Sequence, residues 1–175
     1  MKKIRKILAA CDLSEYSPYI IEQVGQLSDA LSTSLTMVNV INQRDVNAFN
    51  RILRLDAYSG KEIELEEYIG EEKEARIDKL EKLLIDTGFN YITPKIIIRI
   101  GIPFHEILKT VEQENPGLLV IGTKGRGSFR GMLLGSTAEK IFRHCPVPLL
   151  SLRVPKVCSE ATNKLTLPEF NYNYR

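Results

Sequence analysis

Leu118-Leu119-Val120-Ile121-Gly122-Thr123-Lys124-Gly125-Arg126-Gly127-Ser128-Phe129-Arg130-Gly131-Met132-Leu133-Leu134-Gly135-Ser136-Thr137 runs from an apolar segment through a glycine-rich loop into the start of a helix. The unbroken apolar run Leu118 to Ile121 reads as a strand buried on both faces. Glycines allow main-chain N–H groups to close on an anion and to point several donors at it. Ser136-Thr137 then opens a helix whose first amides lack partners and carry about half a positive charge. Lys124, Arg126 and Arg130 add cations, and no acidic residue lies between Glu114 and Glu139. The stretch therefore reads as a polyphosphate cradle. A second reading stays open here: Ser136 with Glu139 three residues on is a capping box, which needs no ligand, and glycine-rich loops also join elements for geometric reasons alone.

Outward from this stretch the same alternation repeats. Ile4 to Cys11 is an apolar run closed by Asp12-Leu13-Ser14. Ser17-Pro18 looks like an N-cap followed by proline at the first helical position, with Ile20, Ile21, Val24, Leu27 and Leu31 at helical spacing after it. Leu35 to Ile41 is a second strand. Residues 48–58 have weak helical character, and Lys61 to Asp86 is a charged helix with Ile69, Ile77, Leu80 and Leu84 as its apolar stripe. Gly70 is a candidate break in it, Glu72 and Arg76 sit at i,i+4 spacing, and Thr87-Gly88 ends it. Lys95 to Ile100 is a third strand, Gly101-Ile102-Pro103 leads into a helix, and Asn115-Pro116-Gly117 stops that helix. Ser136 to His144 is a short last helix and Leu149 to Arg153 a fifth strand. Alternating strands and helices predict an α/β fold, a three-layer α/β/α sandwich around a five-stranded parallel sheet with right-handed crossovers. Such open sheets bind ligands beyond the carboxyl ends of strands, where strand order reverses. The segment 10–14 after the first strand and the loop from Gly122 are placed for that role.

Composition narrows the class. The chain has 175 residues, 43 % hydrophobic and 26 % charged, which suits one domain at residues 1–154 with a polar tail at 155–175. No apolar run approaches the ~18 residues of a membrane span, and Met1-Lys2-Lys3 is not followed by the apolar core of a signal peptide. A cytoplasmic chain with no membrane partner is expected. The net charge of +2 is too small to point to nucleic acid. Its distribution is uneven: ten acids and five bases lie between Lys61 and Asp86, leaving 19 bases and 12 acids elsewhere. Cys11, Cys145 and Cys158 have no CxxC spacing and read as free thiols. His105 and His144 are too isolated to suggest a metal site of the protein's own.

Two common phosphate motifs are absent. Gly122 to Gly127 has the gap of a P-loop, but Ser128 follows where lysine is required, and Arg130 stands where the third glycine of a Rossmann GxGxxG belongs. The spacing that is present, Gly122-x2-Gly125-x9-Gly135-Ser136, resembles the G-2x-G-9x-G-[ST] signature of ATP-binding members of the universal stress protein family. The flanks agree: the first strand ends in Asp12, Gly101-Ile102-Pro103 precedes a helix, and Gly135-Ser136-Thr137-Ala138-Glu139-Lys140-Ile141 leads to His144-Cys145-Pro146-Val147-Pro148. The resemblance spans residues 2–153.

What the resemblance implies is specific. The fold would be adenine nucleotide alpha hydrolase-like, with strand order 3-2-1-4-5. Ala10, Cys11 and Asp12 would bind adenine and ribose, the Asp12 carboxylate accepting from ribose hydroxyls; as a residue in its own right, Asp12 is equally a turn or cap aspartate. Val40 would meet the adenine edge. Ile121, Gly122, Thr123, Lys124 and Gly125 would line ribose and phosphates, Arg126 would add countercharge, and Gly135, Ser136 and Thr137 would hold the phosphates. The ligand would be ATP, ADP or AMP, with Mg²⁺ or Mn²⁺ arriving through the phosphates. The loop lacks Asp, Glu or His to position a water, which favours a regulatory protein with little or no turnover over a slow ATP hydrolase or phosphotransfer enzyme. The chain also lacks the HxGH and SGGxDS segments of catalytic relatives. Leu149 to Arg153, an edge strand with unpaired backbone groups, would join two copies as a homodimer.

Overall fold

The structure, a computed structural model, describes residues 3–56, 65–123 and 134–153, with the backbone alone at 53–56. The chain alternates strand and helix: β1 (Lys6–Ala10), α1 (Ser17–Leu31), β2 (Ser34–Asn42), α2 (Gln43–Asp56), α3 (Leu65–Asp86), β3 (Lys95–Gly101), α4 (Pro103–Glu114), β4 (Leu118–Gly122), α5 (Ser136–His144) and β5 (Leu149–Leu152). The strands form one parallel sheet in the order β3-β2-β1-β4-β5. This is the three-layer α/β/α arrangement and strand order expected.

Each strand puts alternate residues on opposite faces, and two cores follow. On one face Ile7, Ala9, Cys11, Leu35, Met37, Leu118 and Val120 pack against Ile20, Ile21 and Val24 of α1 and Leu80 and Leu84 of α3. On the other, Leu8, Val38, Leu119 and Ile121 pack against Ile107 and Val111 of α4 and Ala138 and Ile141 of α5. Ile7, Leu8, Leu119 and Val120 are fully buried, each worth roughly 1.5–3 kcal/mol of transfer free energy. The central strands β1 and β4 are thus continuous apolar runs because both faces are covered.

Several local expectations need correction. The N-cap of α1 is Tyr16, not Ser17, and it makes no side-chain cap bond; Ser17 is already helical and 2 % exposed. α2 begins at Gln43 rather than Ala48, directly from the end of β2, with the Asn42 side chain accepting from the Arg44 amide at 3.0 Å. Gly70 does not interrupt α3, and a Cβ there would meet nothing within 4 Å. The buried positions of α3 are Arg76, Leu80 and Leu84, so the expected apolar stripe also takes in a guanidinium. α3 ends with Gly88 in the left-handed region at φ 82°, as its sequence predicts. β5 stops at Leu152, leaving Arg153 just beyond it. The tail 155–175 and Tyr58 lie outside the described residues.

Candidate functional site

β1 pairs with β2 on one side and β4 on the other, with Ala10 opposite Ile121. The connections from β1 run one way to β2 and β3, then the chain crosses back to β4 on the far side. The reversal falls between β1 and β4, where the carboxyl ends of two adjacent strands lead their loops apart and leave a crevice. Of the expected residues, Ala10 ends β1 with Cys11 and Asp12 just beyond it, and Ile121 and Gly122 end β4 with Thr123 just beyond.

At the end of β1 the chain is tightly fixed. The Cys11 amide donates to the Val38 carbonyl at 3.0 Å. The Cys11 carbonyl accepts from the Asn39 side-chain amide at 2.7 Å. Asp12 is exposed, and its Oδ1 accepts from the Ser14 amide at 3.0 Å and the Ser17 hydroxyl at 3.5 Å. Leu13 sits at φ 59°, left-handed for a residue with a branched side chain, a conformation costing about 1–2 kcal/mol. The Asx turn and the strained leucine together hold the aspartate at the strand end while its own helix, α1, starts without a side-chain cap.

At the end of β4 the Thr123 amide donates to the Leu152 carbonyl at 2.9 Å, and the Thr123 carbonyl accepts from the Gly135 amide at 2.8 Å. Both ends of the glycine-rich loop therefore meet at its neck. Thr123 is 7 % exposed, and its hydroxyl has no hydrogen-bond partner among the described residues. A buried hydroxyl without a partner costs about 1–3 kcal/mol. Gly135 is the N-cap of α5, with no side-chain cap bond. The capping box expected from Ser136 and Glu139 is not made: the Glu139 carboxylate accepts instead from Arg143 at 2.7 Å. Among the described residues, no side chain caps the first-turn amides of α5. Among the described residues, a Cβ built on Gly135, at φ −72°, would meet only the Thr123 carbonyl, at an ordinary 3.5 Å. The fold itself does not demand glycine there. An orphaned hydroxyl, uncapped amides and a glycine that leaves open space fit an anionic group at this neck.

The expected site residues divide as follows. Ala10, Cys11 and Asp12 lie at the end of β1, and Ile121, Gly122 and Thr123 at the end of the neighbouring β4. Gly135, Ser136 and Thr137 open α5, with Ser136 exposed and Thr137 half-buried. Val40 is half-buried but does not end its strand; β2 runs two residues further, and Val40 pairs in register with Arg99. Lys124, Gly125 and Arg126 lie outside the described residues. Missed from sequence were Ser17, which reaches back to Asp12, and the pair Asn39 and Arg76 behind Cys11. Asn39 was the available signal, a polar residue within the apolar run Leu35–Ile41 that must find partners inside. Among the described residues no cluster of three or more His, Cys, Asp or Glu stands ready to hold a metal ion.

A parallel open sheet whose strand order reverses between β1 and β4 defines a doubly wound α/β protein. The family model described as the universal stress protein family matches residues 3–153, and the chain belongs to that family. It is 26 % identical over 156 residues to universal stress protein MJ0577 of Methanocaldococcus jannaschii, covering 85 % of this chain and 94 % of that one. The solved structure of MJ0577 superposes with a TM-score of 0.68 at 25 % identity, over 88 % of this chain and 99 % of the other. UspA from Lactobacillus plantarum gives a TM-score of 0.64 at 19 % identity, over 87 % and 100 %. A universal stress protein solved in complex with cAMP gives 0.55 at 18 %, over 87 % and 98 %. The last two similarities are similarities of fold.

Proposed function

We propose that this chain is an ATP-binding regulatory protein that turns its nucleotide over slowly or not at all. Adenine and ribose bind at Ala10, Cys11, Asp12 and Val40. The Asp12 carboxylate accepts from the ribose hydroxyls. The phosphates bind along Ile121, Gly122, Thr123, Lys124 and Gly125 and against Gly135, Ser136 and Thr137, with Arg126 as countercharge. ADP and AMP share the base and ribose contacts and lose phosphate contacts in turn. A Mg²⁺ or Mn²⁺ ion enters with the phosphates and supplies charge neutralisation. The observation that carries this reading is the buried Thr123 hydroxyl, without a partner among the described residues, next to a start of α5 that no described side chain caps. An oxyanion there satisfies the hydroxyl and the amides at once. The structure of a related fold with cAMP supports an adenine nucleotide as the anion.

The reading extends to organisation. Residues 1–154 act as one nucleotide-binding domain and 155–175 as an appended tail, in the cytoplasm; no helix among the described residues is long and apolar enough to cross a membrane. Among the described residues β5 lies at a sheet edge, hydrogen-bonded to β4 alone. Two copies pair through residues 149–153, which covers both edges. Light scattering at micromolar concentration is expected to give a dimer mass; a monomer mass refutes the pairing.

The test of function is extraction and rebinding. Purified protein is heat-denatured, and its supernatant run on ion exchange; an adenine nucleotide is expected, together with a raised Tm when ATP is added to stripped protein. No nucleotide and no thermal shift contradict the proposal. Steady-state phosphate release above about 1 s⁻¹ would replace the regulatory reading with that of a hydrolase.

A further inference from the structure

Behind the end of β1 lies a polar relay that neither the phosphate cradle nor the core requires. Asn39, 1 % exposed on β2, donates its side-chain amide to the Cys11 carbonyl at 2.7 Å. Its side-chain carbonyl accepts from Arg76 Nη1 at 3.1 Å. Arg76, on α3 and 8 % exposed, is held in turn by Glu72, whose Oε2 accepts from Nε and Nη2, each at 3.1 Å. Both ends of the Asn39 amide are thereby fixed, so it cannot flip. Its N–H₂ is obliged to face Cys11, because the guanidinium has donors only.

Filling this space calls for no such chemistry. Burying a guanidinium is costly, and well-packed apolar residues of similar volume are often as stable or more so. What an apolar pair cannot do is fix the rotation of a peptide plane. The Cys11 carbonyl belongs to the peptide that carries the Asp12 amide, so its direction sets where the Asp12-Leu13-Ser14 turn begins. That turn includes Leu13 at φ 59°, a strained conformation that persists only where its surroundings over-determine it.

We infer that Asn39 and Arg76 are positioning residues for the nucleotide site, holding the Cys11–Asp12 peptide in the orientation that presents Asp12 to the ribose. This rests on the nucleotide reading above. It also makes α3, the acidic outer helix, mechanically continuous with the site through Glu72, Arg76 and Asn39.

Asn39→Asp separates the two functions of the relay. Aspartate still accepts from Arg76, now as an ion pair, but sets an oxygen against the Cys11 carbonyl. The experiment uses full-length isotope-labelled protein without nucleotide, followed by ATP titration of the same samples, with urea unfolding as the check on folding. For Asn39→Asp the Cys11 carbonyl ¹³C resonance is expected to move upfield as its hydrogen bond is lost. Ser14 amide exchange should quicken, and ATP affinity fall about tenfold, equal to ~1.4 kcal/mol. Arg76→Lys, which keeps the charge but loses the fork, is expected to shift the same signals less and weaken ATP about threefold; it decides the question if Asn39→Asp does not fold. Signals at Cys11 and Ser14 that stay at their parent positions overturn the inference. So does parent-level ATP affinity once they have moved. A parent that binds no ATP overturns the nucleotide reading and with it the binding consequence, while the ligand-free spectra still decide whether Asn39 holds the turn.

Discussion

The amide of Gly135 donates to the carbonyl of Thr123 at 2.8 Å, so the chain leaves β4 and enters α5 through one main-chain bond. That bond brings the Thr123 hydroxyl, buried and unpartnered among the described residues, to the open start of a nine-residue helix. An unsatisfied hydroxyl destabilises the ligand-free protein and is satisfied by an oxyanion. The cost is therefore recoverable on binding.

Thr123→Val removes the hydroxyl and keeps the shape. Urea unfolding should show the variant between unchanged and about 1 kcal/mol more stable, because the partnerless group is gone. Isothermal titration should show ATP bound about tenfold more weakly. A variant that loses stability and keeps affinity would mean that the hydroxyl has an internal partner instead.

Asp12→Asn keeps the Asx turn, since the amide oxygen still accepts from Ser14 at the place of Oδ1. Stability is expected to change by less than about 0.5 kcal/mol. The loss should appear in recognition of the sugar: the preference for ATP over 2′,3′-dideoxy-ATP, measured by competition, narrows about tenfold. An unchanged preference would return Asp12 to the role of a turn residue.

How far the sequence speaks for the fold depends on which physical signal each element carries. β1 and β4 are continuous apolar runs because helices cover both faces, and that they are strands is legible from that alone. α2 was placed five residues late because no glycine or proline separates it from β2; the chain turns on Asn42, whose side chain accepts from Arg44. Gly135-Ser136 was legible as a helix start, but the capping box was not formed, because Glu139 finds Arg143 one turn on. The i,i+4 spacing of Glu72 and Arg76 does not show which way the guanidinium faces. Its burial is decided by Asn39 across the interface, a partner 37 residues away that periodicity cannot reveal. The switch point needs strand order, which a one-dimensional pattern does not contain and the family resemblance supplied.

At the opposite end of the sheet Glu114 closes α4 onto the starts of β1 and β3. It accepts from Lys95 Nζ at 2.6 Å and Lys6 Nζ at 3.3 Å, with its side chain 12 % exposed. The Lys95 hydrogen bond holds its carboxyl below the usual carboxylate range; burial opposes this and the Lys6 bond adds to it. A depressed folded pKa means stability that is fully present above the unfolded value, roughly 4.3, and is lost as pH falls through the folded one. Glu114→Gln should therefore cost about 1 kcal/mol at pH 7, since Lys95 is largely exposed, and the gap to the parent should close towards pH 3. Urea midpoints between pH 3 and 7 check this. A gap that does not depend on pH would mean that packing, not charge, is lost. ATP affinity should stay at the parent level, because this cluster is remote from the β1 and β4 carboxyl ends.

The most direct test of the phosphate cradle is calorimetric titration of Gly135→Ala with ATP and, separately, with adenosine. Among the described residues the added methyl meets only the Thr123 carbonyl, at 3.5 Å, and alanine for glycine at an N-cap costs no more than about 1 kcal/mol of stability. If the main chain around Gly135 holds phosphate, ATP affinity falls at least about tenfold and adenosine affinity does not change. Parent-level ATP affinity, or equal losses for ATP and adenosine, would contradict the account.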